Sequence, residues 1–139
     1  YSAYLRTPHG DVLSSSPERF LKVDADGHVT VRPIKGSAPR GATPAEDAAF
    51  REALRRSEKD RAENLMIVDL MRNDLSRACA PGSVRAEGLF ELTTHASVHH
   101  LSGTVSGKRA PGCSTLDVVK ACFPPGSMTG APKIRAMEY

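Results

Sequence analysis

The stretch that most constrains the fold is "DRAENLMIVDLMRNDLSRA", residues 60–78. Leu65, Val68, Met71 and Leu75 recur there at spacings of three and four. That spacing predicts a helix with one apolar stripe. A single amphipathic helix cannot bury its stripe alone, so a sheet or other helices must cover it. The flanking segments supply candidates. Residues 1–34 read as short strands, "SAYLRT", "DVLSSS", "RFLKVD" and "HVTVRPI", separated by "PHGD", "SPE" and "DADGH". The "ADG" between the last two is a hairpin signal.

Residues 36–43 read as a loop, after which Thr43 and Pro44 suit an N-cap and a first helical position. The helix they open is expected over "AEDAAFREALRRSEK", with Ala49, Phe50, Ala53 and Leu54 on one side. Strands return over "VRAEGLFELTTHASVHHLSGTVSG". Ser114 or Thr115 then caps a short helix, "LDVVKACF", and the loop "PPGSMTG" leads to a last helix begun at Pro132. Strands, two helices, strands and helix in that order predict an α+β fold.

With 139 residues the chain has room for one domain and one modest core. Its net charge of +3 and its lack of any like-charge block argue against nucleic-acid binding. The longest apolar run, "LMIV", falls far short of the roughly 20 residues that a membrane span needs. Cys79, Cys113 and Cys122 are far apart and in no metal-ligand spacing. They read as reduced thiols of a cytoplasmic protein. The strand pattern is already under way at Tyr1, and the last helix stops after about two turns. The expectation is therefore a stretch, 1–139, of one domain truncated at both ends.

Several positions can carry chemistry. Glu18, at a strand boundary in "SPERF", is either a solvated turn carboxylate or a general acid raised in pKa by partial burial. Lys35, in "RPIKGSAPRG", is either a solvated charge or an amine held against apolar surface, where it can lose its proton and become a nucleophile. Asp60 and Glu63 are three apart on a helix and share a face. They are either an ordinary charged first turn or a pair suited to Mg²⁺, which keeps waters and takes few protein ligands. Asp69, Arg72, Asn73 and Asp74 read as a structural polar network. His99 and His100 point to opposite faces of a strand, so they cannot jointly bind a metal. In "PPGSMTGAPK", the loop N–H groups, the Ser127 and Thr129 hydroxyls and Lys133 are either an anion site, for a carboxylate at least as readily as a phosphate because the P-loop spacing is absent, or simply a tight turn that needs its glycines.

The stretches "SPERF", "RPIKGSAPRG", "DRAENLMIVDLMRNDLSR", "PGSV", "VHHL" and "GSMTGAPKIRAME" occur in the order found in the chorismate-utilising enzymes, which this chain resembles over nearly its whole length. The resemblance implies part of their two-layer α/β sandwich, the fold of anthranilate synthase component I. Lysine at position 35, where the anthranilate and isochorismate branches typically carry Ala, implies the aminodeoxychorismate synthase component I branch. That branch aminates chorismate at C4 with ammonia from a glutamine amidotransferase, on the route to para-aminobenzoate and folate. The residue roles carried over are Glu18 as the acid for the leaving C4 hydroxyl and Lys35 as the nucleophile at C2. Glu63, with Asp60, would hold Mg²⁺ against the ring carboxylate. His100 matches the active-site histidine, and Ser127, Thr129, Gly130 and Lys133 lie in the loop that holds a substrate carboxylate. Pro125 departs from the usual glycine of that loop. A second pair of metal-binding glutamates lies outside this stretch, so the isolated chain is expected to have no turnover. An anthranilate synthase is the main alternative, and a binding module without chemistry the remoter one.

Overall fold

A computed structural model describes residues 1–138. The chain is α+β. Strands β1 (Ser2–Thr7) and β2 (Gly10–Ser15) form a hairpin of their own, exposed along its whole length. The remaining strands, β3 (Lys22–Val23), β4 (His28–Val31), β5 (Ile34–Pro39), β6 (Arg85–Thr94) and β7 (Val98–Lys108), make one antiparallel sheet. β7 is its centre. β6 runs along one edge of it; on the other edge β5 pairs its first half and β4 its second. The expected "ADG" hairpin joins β3 to β4, closed by Asp24 N–H donating to the His28 carbonyl at 2.8 Å.

Helix α1 (Pro44–Arg56) begins as the sequence predicts, with the Thr43 hydroxyl accepting from the Glu46 N–H at the N-cap. It ends earlier than expected. Ser57 is the C-cap of α1 and the N-cap of α2 (Glu58–Ser76), its Oγ accepting from the Asp60 N–H at 3.2 Å. The two helices therefore turn at a serine that serves both ends. On α1 only Leu54 is buried and Phe50 half-buried, while Ala49 and Ala53 face outward.

The stripe of α2 that meets the sheet is Asn64, Ile67, Val68, Met71, Asp74 and Leu75. Leu65 does not belong to it, contrary to the sequence expectation, and is 50% exposed. A 19-residue α-helix rotates about 100° per residue, so Leu65 and Val68 cannot both centre on one narrow stripe once Ile67 and Met71 define it. Ile67, Val68, Met71 and Leu75 pack with Val29, Val31 and Val105 of the sheet and Val118 and Cys122 of α3 (Thr115–Cys122). Close approach is possible because β7 has glycine where the helix crosses. A side chain at Gly103 would collide with Val68, and one at Gly107 would lie 2.9 Å from the Cys79 sulfur. Burial pushes the Cys122 thiol up to about 11, which favours its protonated form.

Ser114 caps α3 through a full capping box with Asp117. The segment beyond it holds two single-turn helices, α4 (Gly126–Thr129) and α5 (Lys133–Met137). Pro132 sits at the N-cap of α5, one position before the place expected for it. Among the described residues no helix is long and apolar enough to cross a membrane.

Candidate functional site

The site is organised by β5, which runs through residues expected to be loop. Gly36 and Pro39 discourage a strand reading, but pairing with β7 imposes one, with an irregular register between Ile34 and Ser37. Along this stretch, successive residues meet different neighbours. The Ile34 N–H donates to the Glu18 Oε1 at 3.0 Å. The Lys35 Nζ donates to the Ser127 carbonyl at 3.3 Å. Gly36, with φ of +94°, lies so close to α2 that a side chain there would stand 2.9 Å from Asp60 Cβ. Ser37 Oγ and His100 Nδ1 are 2.9 Å apart. Four consecutive residues of β5 thus draw together Glu18, Ser127, Asp60 and His100 around Lys35.

The electrostatics agree with that geometry. His100 is half-buried, and burial is the main reason that its pKa lies below the ordinary histidine value. The His95 ring, 5.4 Å away, pushes the same way, while the Glu18 carboxylate pulls the pKa up. A neutral imidazole beside a carboxylate can accept or relay a proton at neutral pH. His99 faces the other way and is fully buried. Its ring lies 2.8 Å from the Thr94 hydroxyl and 3.1 Å from Asp47, which also accepts from Arg40. It is a satisfied core histidine.

A pocket of about 110 Å³ opens beside this cluster, lined by Glu18, Phe20, Pro33, Met71, Ser127 and Met128. That is smaller than the roughly 300 Å³ or more usual for a ligand pocket.

Asp60 and Glu63 sit one turn apart at the start of α2. Glu63 is half-exposed, its nearest cation Lys59 at 4.0 Å. Among the described residues no group of three or more metal-ligating side chains converges. Two carboxylates from one helix face fit Mg²⁺, which tolerates a sparse oxygen set completed by waters and substrate.

The loop after α3 differs from its expected form. The N–H groups of Met128, Thr129 and Gly130 all donate within the loop, to Pro125 and Gly126 carbonyls. The Thr129 hydroxyl lies near the carbonyls of Pro125 and Gly130. Gly130, with φ of +90°, takes a backbone conformation that suits glycine. Lys133 corrects the expectation that it offers a charge to a ligand. It is 6% exposed, and its ammonium donates to Asp74 at 2.7 Å, Cys122 O at 3.0 Å and Pro124 O at 3.1 Å. All three of its protons are engaged inside the protein. Of the polar cluster expected on α2, Arg72 and Asp69 pair on the surface while Asp74 turns inward.

The sequence reasoning missed Ser37 and His95 as companions of His100. Ser37 stands two positions beyond Lys35, a spacing that speaks only if that stretch is read as strand.

The chorismate binding enzyme family matches this chain over residues 1–139. An aminodeoxychorismate synthase of Streptomyces pristinaespiralis is 58% identical over all of this chain and 19% of its own length. An aminodeoxychorismate synthase component 1 of Klebsiella aerogenes is 51% identical over 99% of this chain and 30% of its own. The chain therefore spans less than a third of the curated relatives it matches. The crystal structure of anthranilate synthase component I from Streptococcus pneumoniae superposes with a TM-score of 0.81 at 35% identity, covering 99% of this chain and 29% of that one.

Proposed function

We propose, from the premise that this chain belongs to the chorismate binding enzyme family, that it supplies part of the catalytic site of an aminodeoxychorismate synthase component I. The reaction is amination of chorismate at C4 to 4-amino-4-deoxychorismate, with ammonia delivered by a glutamine amidotransferase subunit or fused domain, in the cytoplasm. The observation that carries this reading is the four-residue run of β5 in which Glu18, Ser127, Asp60 and His100 gather around one lysine. The names and identities of the relatives support the same branch.

Glu18 gives a proton to the C4 hydroxyl, which leaves as water. The free amine of Lys35 attacks C2, the two conjugated ring double bonds move from C1–C2 and C5–C6 to C1–C6 and C4–C5 as the water leaves C4, and the amine sheds a proton. Ammonia then attacks C4 and loses a proton, both double bonds shift back, and the lysine nitrogen, protonated again, is expelled from C2 as the free amine. Two such displacements return the ring to its starting pattern with nitrogen in place of oxygen. His100, neutral and close to Glu18, relays the protons. The loop at Ser127, Thr129 and Gly130 borders a substrate carboxylate, whose binding there falls to the Ser127 hydroxyl, because the Met128, Thr129 and Gly130 N–H groups already donate within the loop. Asp60 and Glu63 would hold Mg²⁺, which when bound would neutralise the ring carboxylate and withdraw electron density from the ring.

The test uses the full-length protein, incubated with chorismate, Mg²⁺ and an ammonium salt, with products identified by mass spectrometry. An amino-deoxychorismate that keeps its pyruvyl group supports the reading. Anthranilate with free pyruvate overturns it in favour of the alternative branch.

A further inference from the structure

The Lys133–Asp74 pair lies outside every role assigned above, and it is the most completely buried ion pair in the described structure. Its surroundings say what it does. The ammonium has three acceptors, and two of them are backbone carbonyls, Cys122 at the end of α3 and Pro124 two residues on. The third, Asp74, belongs to the core stripe of α2. One side chain therefore ties the beginning of the 123–132 loop to its end at α5, and both to α2. A second contact acts at the middle of the loop: Gly126 rests against Leu70 and Met71 so closely that a Cβ would collide with them. Between these two fixings stands Ser127, whose carbonyl receives the Lys35 ammonium.

We infer that Lys133 and Asp74 are positioning residues for the 123–132 loop, setting the place of Ser127, Thr129 and Gly130 relative to Lys35 without touching substrate. The inference rests on the reading that this loop holds a carboxylate of the substrate. An ammonium in this place is suited to the task because it grips two carbonyls of an irregular segment at once. A neutral side chain would leave those carbonyls without a donor in a buried setting. Asp74 supplies the countercharge that makes a buried ammonium tolerable.

The experiment measures chorismate binding by calorimetry in the full-length protein, alongside backbone hydrogen exchange, so that it does not depend on which product the enzyme makes. Lys133→Met alone leaves Asp74 unpaired, so the informative variant is Lys133→Met with Asp74→Leu, which removes both charges. Asp74→Asn is the milder companion, keeping an acceptor for the ammonium. The expected result is a chorismate Kd raised roughly 10- to 100-fold in the double variant and less in Asp74→Asn. Amide exchange should be faster at residues 126–130 and unchanged in the core of α2. An unchanged Kd in a folded variant overturns the inference, as does faster exchange spread evenly over the molecule. If the double variant does not fold, Asp74→Asn decides by the same two readings. Should the product test give anthranilate, the binding result still stands or falls by itself.

Discussion

Lys35 and Lys133 both precede or follow a glycine- and proline-rich segment, and in the sequence each looks like a cation beside a loop. The structure treats them oppositely. Lys35 is half-buried, with one acceptor at 3.3 Å, on an irregular strand next to a cavity. Lys133 is buried, with three acceptors no farther than 3.1 Å, one of them a carboxylate. The difference teaches how to separate reagent from scaffold. A lysine whose hydrogen-bonding capacity is already filled cannot serve a substrate without dismantling its surroundings. A lysine with one long bond can turn to a ligand at little cost.

The sharpest way to break that comparison is to replace each lysine by methionine in the full-length protein. Lys35→Met should lower the rate of chorismate amination by at least about 10³-fold, as expected for loss of a covalent nucleophile. Its unfolding free energy should stay within about 1 kcal/mol of wild type. Retained amination in Lys35→Met would remove the lysine from the chemistry.

Lys133→Met should invert the pattern in stability. Stranding Asp74 as an uncompensated buried carboxylate costs about 3–5 kcal/mol, while removing both charges recovers most of that loss. Burial raises the Asp74 pKa against the opposing pull of Lys133, so the stranded acid relieves itself by taking up a proton. Denaturant unfolding reads both effects. Equal stabilities for the two single lysine variants would erase the distinction.

Much of this architecture was legible before the structure. The Thr43–Pro44 cap, the "ADG" hairpin, the Ser114 cap and the divergence of His99 from His100 all follow from local rules. What was illegible depends on distant partners. β5 is a strand because β7 pairs it, although Gly36 and Pro39 argue against one. Ser57 divides α1 from α2 through a Ser-x-x-Asp pattern that the charged run around it conceals. Lys133 finds Asp74 across 59 residues, and no spacing rule reaches that far. The resemblance points to Glu18, Lys35 and His100 through three separate motifs, and a fourth contains Lys133, whose ammonium is engaged inside the protein, so membership in a motif does not by itself assign a role.

The adjacent histidines repeat the comparison on a smaller scale. His99→Gln should destabilise by about 1–3 kcal/mol, since its buried ring bridges Thr94 and Asp47. His100→Gln should leave stability within about 0.5 kcal/mol of wild type and slow the reaction by roughly 10²- to 10⁴-fold. Thermal melts and initial rates on the two variants make the check. The reverse assignment of effects would mean that the wrong face of β7 has been read as the site.

The smallest expected effect is a pH dependence, and its sign is fixed by the direction of the His100 shift. Burial and His95 hold its folded pKa below the unfolded value of about 6.5. Between those two values the unfolded chain binds more protons than the folded one, so this residue makes stability fall as pH falls through about 6.5 toward the folded value, and level off below it. The contribution appears as the difference in melting temperature between wild type and His100→Gln, followed from about pH 8 to pH 5, where other titrating groups cancel. A flat difference would show that the ring is not held in its neutral form. Glu18→Gln gives the finer test. Its carboxylate pulls the His100 pKa up, so removing that charge should move the lower end of the window to more acid pH. His95→Ala should move it the other way, because the two rings repel when charged. Opposite shifts from these neighbours would establish that acid and imidazole act as one coupled pair beside Lys35, which is the property that sets this side of the molecule apart from the filled hydrogen bonds around Lys133.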